Sequence, residues 1–283
     1  MTGPLSFASA LPLSEIRCAE LTGYDVHRTV ARSDSALVYV AGKVDRAGES
    51  FALKVYDSVL CEQTFSSTAA AQELCGPCVV PLIEYGIWQG KPAMVSPWVD
   101  GISLQDLLGD LDQRIPMATA LRIGGLVCRA LAEAHASDSG ALVHGRVEPS
   151  HVLLGHDGAV QLTGFGGGPS RSIVSRLQPS YVSPEVAAGE PADVLSDVYS
   201  LGAVLYELTT GERPVGARPE RPSSLSPGVD DRLDATIIAC LERDPGERPF
   251  SIRAVEHCID ACFEELELIP HPEELAGLVR LAR

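Results

Sequence analysis

Apolar and polar positions in the first third of the chain alternate or gather into short β-branched runs. On this pattern residues 26–30, 36–42 and 49–56 read as strands, and Asp45-Arg46-Ala47-Gly48 offers a hairpin turn between the last two. Residues 64–74 switch to an alanine-rich helical pattern, and strand-like runs return at 79–87 and 92–98 around Gln89-Gly90-Lys91. Beyond residue 100 the period lengthens. A short helix is expected over 103–108, and residues 116–137 place Leu121, Leu126, Val127, Ala130, Leu131 and Ala134 at helical spacing. Two short strands, 152–154 and 160–162, flank the turn His156-Asp157-Gly158. Residues 166–179 and the Pro-, Gly- and Ser-rich stretch 213–228 read as loops, whereas 193–210, 231–242 and 251–268 read as helices. A β-rich first part followed by a helical part, with no internal repeat, predicts an α+β protein in two lobes.

Composition narrows the setting. The 283 residues are 45% hydrophobic, ample for a sizeable core, and no uninterrupted run of about 18 apolar residues marks a membrane span. The first 20 residues hold no lysine and one arginine, Arg17, unlike the charged start of a secretory signal, so a cytoplasmic protein is expected. A net charge of −16 argues against nucleic-acid binding and against docking on an anionic membrane. The eight cysteines, at 18, 61, 75, 78, 128, 240, 258 and 262, are scattered and read as free thiols of a reducing compartment.

Six segments add chemistry. Ala52-Leu53-Lys54 resembles the protein-kinase Ala-x-Lys strand. His144-Gly145-Arg146-Val147-Glu148-Pro149-Ser150-His151-Val152-Leu153-Leu154 resembles the kinase catalytic loop, His-Arg-Asp-Leu-Lys-Pro-Glu-Asn-Ile-Leu-Leu. Gly164-Phe165-Gly166 lies where Asp-Phe-Gly belongs, and Pro179-Ser180-Tyr181-Val182-Ser183-Pro184-Glu185 resembles the end of an activation segment. Ser196-Asp197-Val198-Tyr199-Ser200-Leu201-Gly202 resembles the start of the buried helix that follows, and Asp244-Pro245-Gly246-Glu247-Arg248-Pro249 the late Asp-Pro-x-x-Arg-Pro turn. In this order and spacing the chain, from about residue 24 to 265, is similar to the bacterial serine/threonine kinases of eukaryotic type. The resemblance implies a bilobal protein-kinase-like fold. It divides into an N-terminal extension (1–21), a β-rich small lobe (22–98), a larger helical lobe (99–268) and a C-terminal tail (269–283). Glu273, Glu274, Leu275, Leu278 and Leu281 give the tail an amphipathic helix, expected to pack on its own large lobe, with docking to a partner as the alternative.

The parts that the resemblance assigns to chemistry are degenerate. The glycine-rich phosphate loop becomes Ala31-Arg32-Ser33-Asp34-Ser35-Ala36-Leu37-Val38-Tyr39, with every glycine gone. The catalytic aspartate aligns with Arg146, which stays protonated and cannot act as a base. The lysine that steadies the phosphate becomes Glu148, and these two inverted charges suit a local ion pair. The metal-binding asparagine and aspartate become His151 and Gly164, a poor set for a cation that wants hard oxygens, so no metal is expected. Lys54 persists, but its usual helix glutamate aligns with Ser67, and neither Glu62 nor Glu73 falls in register.

The parts that the resemblance assigns to the fold are kept. His144 and Phe165 belong to a buried column between the lobes, Asp197 holds the catalytic-loop backbone, and Glu185 and Arg248 form a buried ion pair. Val38, Ala52 and Leu153 match the apolar residues around adenine, Ser96 is the small residue behind them, and the missing N–H of Pro97 does not by itself exclude adenine, because Val99 could supply the donor. With no phosphate clamp, weak or absent metal-independent ATP binding is expected.

Other motifs carry less. Cys75-Gly76-Pro77-Cys78 spells the thioredoxin tetrapeptide, yet it follows a helix and precedes a strand, the reverse of a redox site. Cys258 and Cys262 share a helix face, where apolar packing is expected. Ser170, Ser172, Ser175 and Ser180, near Arg171 and Arg176, offer modification sites or plain loop polarity, and the usual activating threonine is Gln178. The whole predicts a catalytically inactive kinase-like protein that acts as a scaffold or allosteric regulator of a protein partner, an active kinase or an operon-encoded enzyme. The alternatives are an atypical ATP-using transferase relying on Glu148 or Asp157, and a small-molecule sensor using the adenine cleft.

Overall fold

A computed structural model describes residues 19–32, 36–57, 62–111, 114–167, 178–216, 218–269 and 271–282, with the backbone alone at 62–66. Strands β1 (Tyr24–Arg32), β2 (Ala36–Lys43), β3 (Arg46–Tyr56), β4 (Glu84–Trp88) and β5 (Lys91–Pro97) form an antiparallel sheet in the order β1-β2-β3-β5-β4. Helix α1 (Glu62–Ala71) separates β3 from β4 in the chain. The second lobe holds the sheet β6 (Gly101–Ser103), β7 (Val152–Gly155) and β8 (Val160–Leu162). Its helices are α2 (Leu104–Asp110), α3 (Met117–His135), α4 (Pro184–Ala187), α5 (Val194–Thr210), α6 (Pro222–Leu225), α7 (Asp231–Cys240), α8 (Ile252–Glu265) and α9 (Pro272–Leu281). The architecture is the bilobal α+β arrangement that the sequence predicts.

Period-two alternation divides the first sheet into two faces. Phe51, Leu53, Val55, Ala93 and Val95 turn one way and join Leu21 and Ala41 in a small core of their own. Ala52, Lys54 and Tyr56 turn the other way, and the register sets Ser96 opposite Ala52 and Met94 opposite Lys54. Tyr56 and Met94 on this second face belong to the large core that continues through the helical lobe. There α3 crosses α5 so closely that a Cβ on Gly124 would lie 2.3 Å from Leu205 Cδ2. Asp193 caps α5 by accepting from Leu195 and Ser196 N–H, and Gly211, at φ 76°, ends it in the left-handed conformation.

The structure corrects the sequence reading in three places. The β2–β3 hairpin turns at Val44-Asp45, not across residues 45–48. Lys43 pairs with Arg46 while Gly42 pairs with Ser50, and Gly48, at φ 91°, absorbs the extra residues within the strand. Residues 79–83 are not strand. Val79 makes a single parallel bridge to Leu162, and Val80 N–H donates to the Leu162 carbonyl, because this run crosses to β8. The 213–228 loop contains the short helix α6.

The tail lies on its own lobe as expected. Leu275, Ala276 and Val279 are buried, Thr119 Oγ1 donates to Glu274 Oε2 at 2.8 Å, and Arg280 donates to the His156 carbonyl at 3.1 Å. Among the described residues no helix is long and apolar enough to cross a membrane.

Candidate functional site

The stretch from His144 to His151 is held from below by one carboxylate. Asp197, fully buried on α5, accepts from His144 N–H at 2.8 Å, from Gly145 N–H at 2.7 Å and from His135 Nε2 at 2.8 Å. Gly145 has a φ of 70°, which lets two successive N–H groups turn toward the same acid. His135 was not foreseen, because only the fold brings the end of α3 beneath this loop.

Above Asp197 the His144 and His151 rings meet edge-on, with 5.6 Å between their centroids. His144 Nε2 donates to the Thr163 carbonyl at 3.0 Å, its Nδ1 accepts from Arg146 N–H at 3.1 Å, and its ring stands edge-on to Phe165 at 4.7 Å. Burial lowers the pKa of His144. Burial, together with the charges of Lys54 and Arg146, pushes His151 well below the usual imidazole range. Both rings are therefore neutral at neutral pH. His151 Nδ1 lies 2.9 Å from the Arg146 carbonyl, which can only accept, so Nδ1 carries the proton and Nε2 is bare.

That bare edge fills the space beside Gly164. Gly164 has a φ of 103°, and a Cβ built there would lie 3.1 Å from His151 Cδ2, 3.4 Å from His151 Nε2 and 3.5 Å from His144 Nε2. An acidic side chain at 164 would press on both imidazoles. The residues at this position do not fit Mg²⁺. Position 164 offers no side-chain oxygen, and position 151 offers a nitrogen. Among the described residues no group of three or more His, Cys, Asp or Glu side chains could hold a metal ion.

The inverted charges meet. Arg146 Nη2 donates to Glu148 Oε1 at 3.3 Å, Ser150 Oγ donates to the same oxygen at 2.7 Å, and His151 Nδ1 is 3.6 Å away. Asp157 instead closes the β7–β8 turn by accepting Ala159 N–H at 2.9 Å.

On the cleft side of the small sheet, Val38 pairs with Lys54 and Ala52 with Ser96, so these four side chains share one face. Leu153 and Val99, both half-buried, come from β7 and from the linker after β5. Lys54 Nζ lies over the Tyr56 ring, 5.4 Å from its centroid. Residues two apart in a strand share a face, so Tyr56 was a neighbour that the sequence could have named. Glu73 lies exposed beyond the end of α1. Ser67 and Thr68 bring the α1 backbone against Gly166, where a Cβ would lie 2.8 Å from Thr68 Cα, and Thr68 Oγ1 donates to the Gly166 carbonyl at 3.0 Å. Ser33, Asp34 and Ser35, which the resemblance sets in the phosphate loop, the Glu62 side chain, and Ser170, Arg171, Ser172, Ser175 and Arg176 lie outside the described residues.

In the large lobe, Arg248 makes a two-pronged pair with Glu185, Nη1 to Oε1 at 2.9 Å and Nη2 to Oε2 at 2.8 Å. It also donates to the carbonyls of Glu242, Leu195 and Arg243. Burial alone would raise the pKa of Glu185, but the Arg248 bonds and those from neighbouring groups outweigh it and bring the value to about 2. The cysteine motif is structural. Cys75 and Gly76 N–H donate to Glu133 Oε1 on α3, and burial pushes the Cys78 thiol up, away from reactivity. Cys258 and Cys262 are both buried, and hydrogen bonds from Cys262 and Thr236 lower the pKa of the Cys258 thiol.

Comparison with known proteins agrees with the fold. The family model described as "Protein kinase domain" matches residues 24–258. The chain is 28% identical over 275 residues to the probable serine/threonine-protein kinase SCO3848 of Streptomyces coelicolor, covering 85% of this chain and 40% of that protein. It is 32% identical over 180 residues to serine/threonine-protein kinase PknB of Mycobacterium leprae, covering 56% of this chain and 28% of that one. The chain thus spans less than half the length of these relatives. Among solved structures, the PknI kinase domain of Mycobacterium tuberculosis superposes with a TM-score of 0.71 at 26% identity, over 90% of this chain and 99% of that chain.

Proposed function

The chain belongs to the protein kinase family, and from that premise we propose that it is a member without phosphoryl-transfer activity, a pseudokinase that works by binding a partner protein as scaffold or allosteric regulator. The pairing of Gly164 with His151 carries this proposal. The place of a metal-binding carboxylate is taken by glycine, and the space beside it by a neutral imidazole. Arg146 adds support, because a guanidinium bonded to Glu148 cannot take the proton of an attacking hydroxyl. Catalytic groups act as a set, and losing one member removes most of the rate. The relatives are named kinases, but a name carries over only with the residues that do the chemistry. A transferase using Glu148 or Asp157 finds no support in their bonding, since the first holds Arg146 and Ser150 and the second closes a turn.

For the cleft we propose weak, metal-independent ATP binding, supported by the face that Val38, Ala52, Lys54 and Ser96 share. The same face would serve a small-molecule sensor. The partner we propose is an active kinase or an enzyme encoded beside this chain. Incubation with labelled ATP and Mg²⁺ or Mn²⁺, alongside a thermal-shift titration with ATP with and without Mg²⁺, tests the reading. No transfer and a small, metal-independent shift are expected. A large Mg²⁺-dependent stabilisation, or transfer that disappears in Lys54→Ala, would show an active enzyme.

A further inference from the structure

A groove lies where the turn after α1 and the β7–β8 turn both approach α3. It holds about 400 Å³ and is open to solvent. Its walls are mostly apolar: Leu126 of α3, Pro77 and Cys78 of the turn, and Ala159 and Val160 at the start of β8. None of these belongs to the cleft face that Val38, Ala52, Lys54 and Ser96 share. Arg122, Leu126, Arg129 and Glu133 recur every three or four residues along α3, so one stripe of that helix forms the floor. The main chain of the walls is already engaged. The Ala159 carbonyl accepts from Gly155 N–H at 2.9 Å and the Ala159 N–H donates to Asp157. The Pro77 carbonyl accepts from Gln161 Nε2 at 3.4 Å, and the Cys78 carbonyl from Leu162 N–H at 2.8 Å.

The charged groups of the floor are not equally satisfied. Arg129 Nε donates to Glu256 Oε1 at 3.4 Å, and Glu133 Oε1 accepts from Cys75 and Gly76 N–H. Arg122 differs. It is half-buried, its Nη2 donates to the Gly158 carbonyl at 3.0 Å, and among the described residues it pairs with no carboxylate. Its Nε is buried and has no hydrogen-bond partner. A carbonyl takes one N–H but leaves the charge uncompensated, and a half-buried cation without an anion is costly. The guanidinium reaches close enough to the groove for its charge to act on the Cys78 thiol, which burial raises and which Arg129 and Arg122 draw back.

We propose that this groove binds a small molecule with one carboxylate head and an apolar body, the head against Arg122 and the body over Leu126 and Val160. The guanidinium fork suits a carboxylate. Apolar walls with few charged groups are the usual make-up of a small-molecule pocket, and about 400 Å³ lies within the usual range of size. An extended peptide is the poorer occupant, because it gains affinity from main-chain hydrogen bonds and the carbonyls of Pro77, Cys78 and Ala159 are already engaged. Glu133 lies about 16 Å from Arg122 along the axis of α3. It repels an anion from its own end, so the head sits toward the β7–β8 turn and the body points toward the turn at Cys75 and Gly76. The site is independent of whether the chain transfers phosphate.

The test uses the full chain with octanoate, its neutral analogue octanamide, and acetate as probes, and isothermal titration calorimetry reads the affinities. Octanoate binds saturably. Octanamide binds about tenfold or more weakly, the scale of one charge-assisted hydrogen bond, and acetate is weaker still for want of buried CH₂ groups. Arg122→Gln brings octanoate down to the level of octanamide. Leu126→Glu, which sets a carboxylate one helical turn from Arg122, abolishes octanoate binding. Absence of saturable octanoate binding overturns the proposal, and so does equal affinity for octanamide or acetate. Octanoate affinity unchanged in Arg122→Gln, at an unchanged melting temperature, also overturns it, since the ligand then sits elsewhere. If Arg122→Gln does not fold, Leu126→Glu with a wild-type circular-dichroism spectrum decides: lost binding supports the proposal, and retained binding refutes it.

Discussion

Replacing Arg248 with methionine keeps much of the side-chain volume and removes the charge. Glu185 is then left with 12% of its side chain exposed and no cation, and the carbonyls of Glu242, Leu195 and Arg243 lose their donor. Breaking a buried pair in this way costs about 3–5 kcal/mol. Acid gives a second measure of the same pair. Glu185 has its pKa at about 2 against an ordinary 4.5, a gap worth about 3 kcal/mol. A depressed carboxylate contributes this stability fully above its unfolded value, and the contribution drains away as pH falls from 4.5 toward 2. In Arg248→Met, burial of Glu185 is opposed only by the Ser196 and Ser183 hydroxyls and a backbone N–H, so its pKa rises and this acid-sensitive window shrinks. Urea denaturation of both proteins at neutral pH and at steps down to pH 3 reads both effects. A loss below about 1 kcal/mol at neutral pH, the scale of an exposed pair, would refute the reasoning. So would an acid profile of the variant that parallels the wild type.

Asp197→Asn replaces a three-bond acceptor with an amide that cannot accept from His144, Gly145 and His135 together; a loss of about 3 kcal/mol is expected, and a melting curve measures it. Gly164→Asp meets His151 and a backbone that disfavours any side chain, so it lowers the melting temperature without creating Mg²⁺-dependent ATP binding; a Mg²⁺-dependent shift in that single variant would contradict the account of the site. Iodoacetamide modifies Cys75, which is exposed, well before Cys78, which is buried with its thiol pKa raised, and peptide mass spectrometry gives the order.

Local features were readable in the sequence where one residue type dictates one conformation. Gln89-Gly90 closes its hairpin with φ values of 49° and 77°, and Asp193 and Gly211 mark both ends of α5. The turn after β2 was misplaced because Asp45 and Gly48 both look like turn residues, and only the pairing of Gly42 with Ser50 shows that Gly48 is a bulge. Residues 79–83 read as strand because valines at 79 and 80 suit a sheet, yet their partner is β8 across the lobe boundary. In the site, the loss of single residues was legible at 146, 151 and 164. Their mutual accommodation was not, because residues 13 apart in the chain meet only through the fold.

The turn at Cys75 and Gly76 was introduced as a motif without redox chemistry, and its mechanical meaning is larger. Glu133 grips it from α3, and a Cβ on Gly76 would lie 1.7 Å from Glu133 Oε2, so the two parts are in direct contact. The lobes are thus joined at this turn as well as through the chain that links β5 to β6. A body tied at two places still turns about the line between them. The bond from Thr68 to Gly166 and the bonds of Cys78 and Val80 with Leu162 supply further ties. To gape, this molecule must first unfasten one of them, so its resting posture is that of a closed clasp rather than a swinging door.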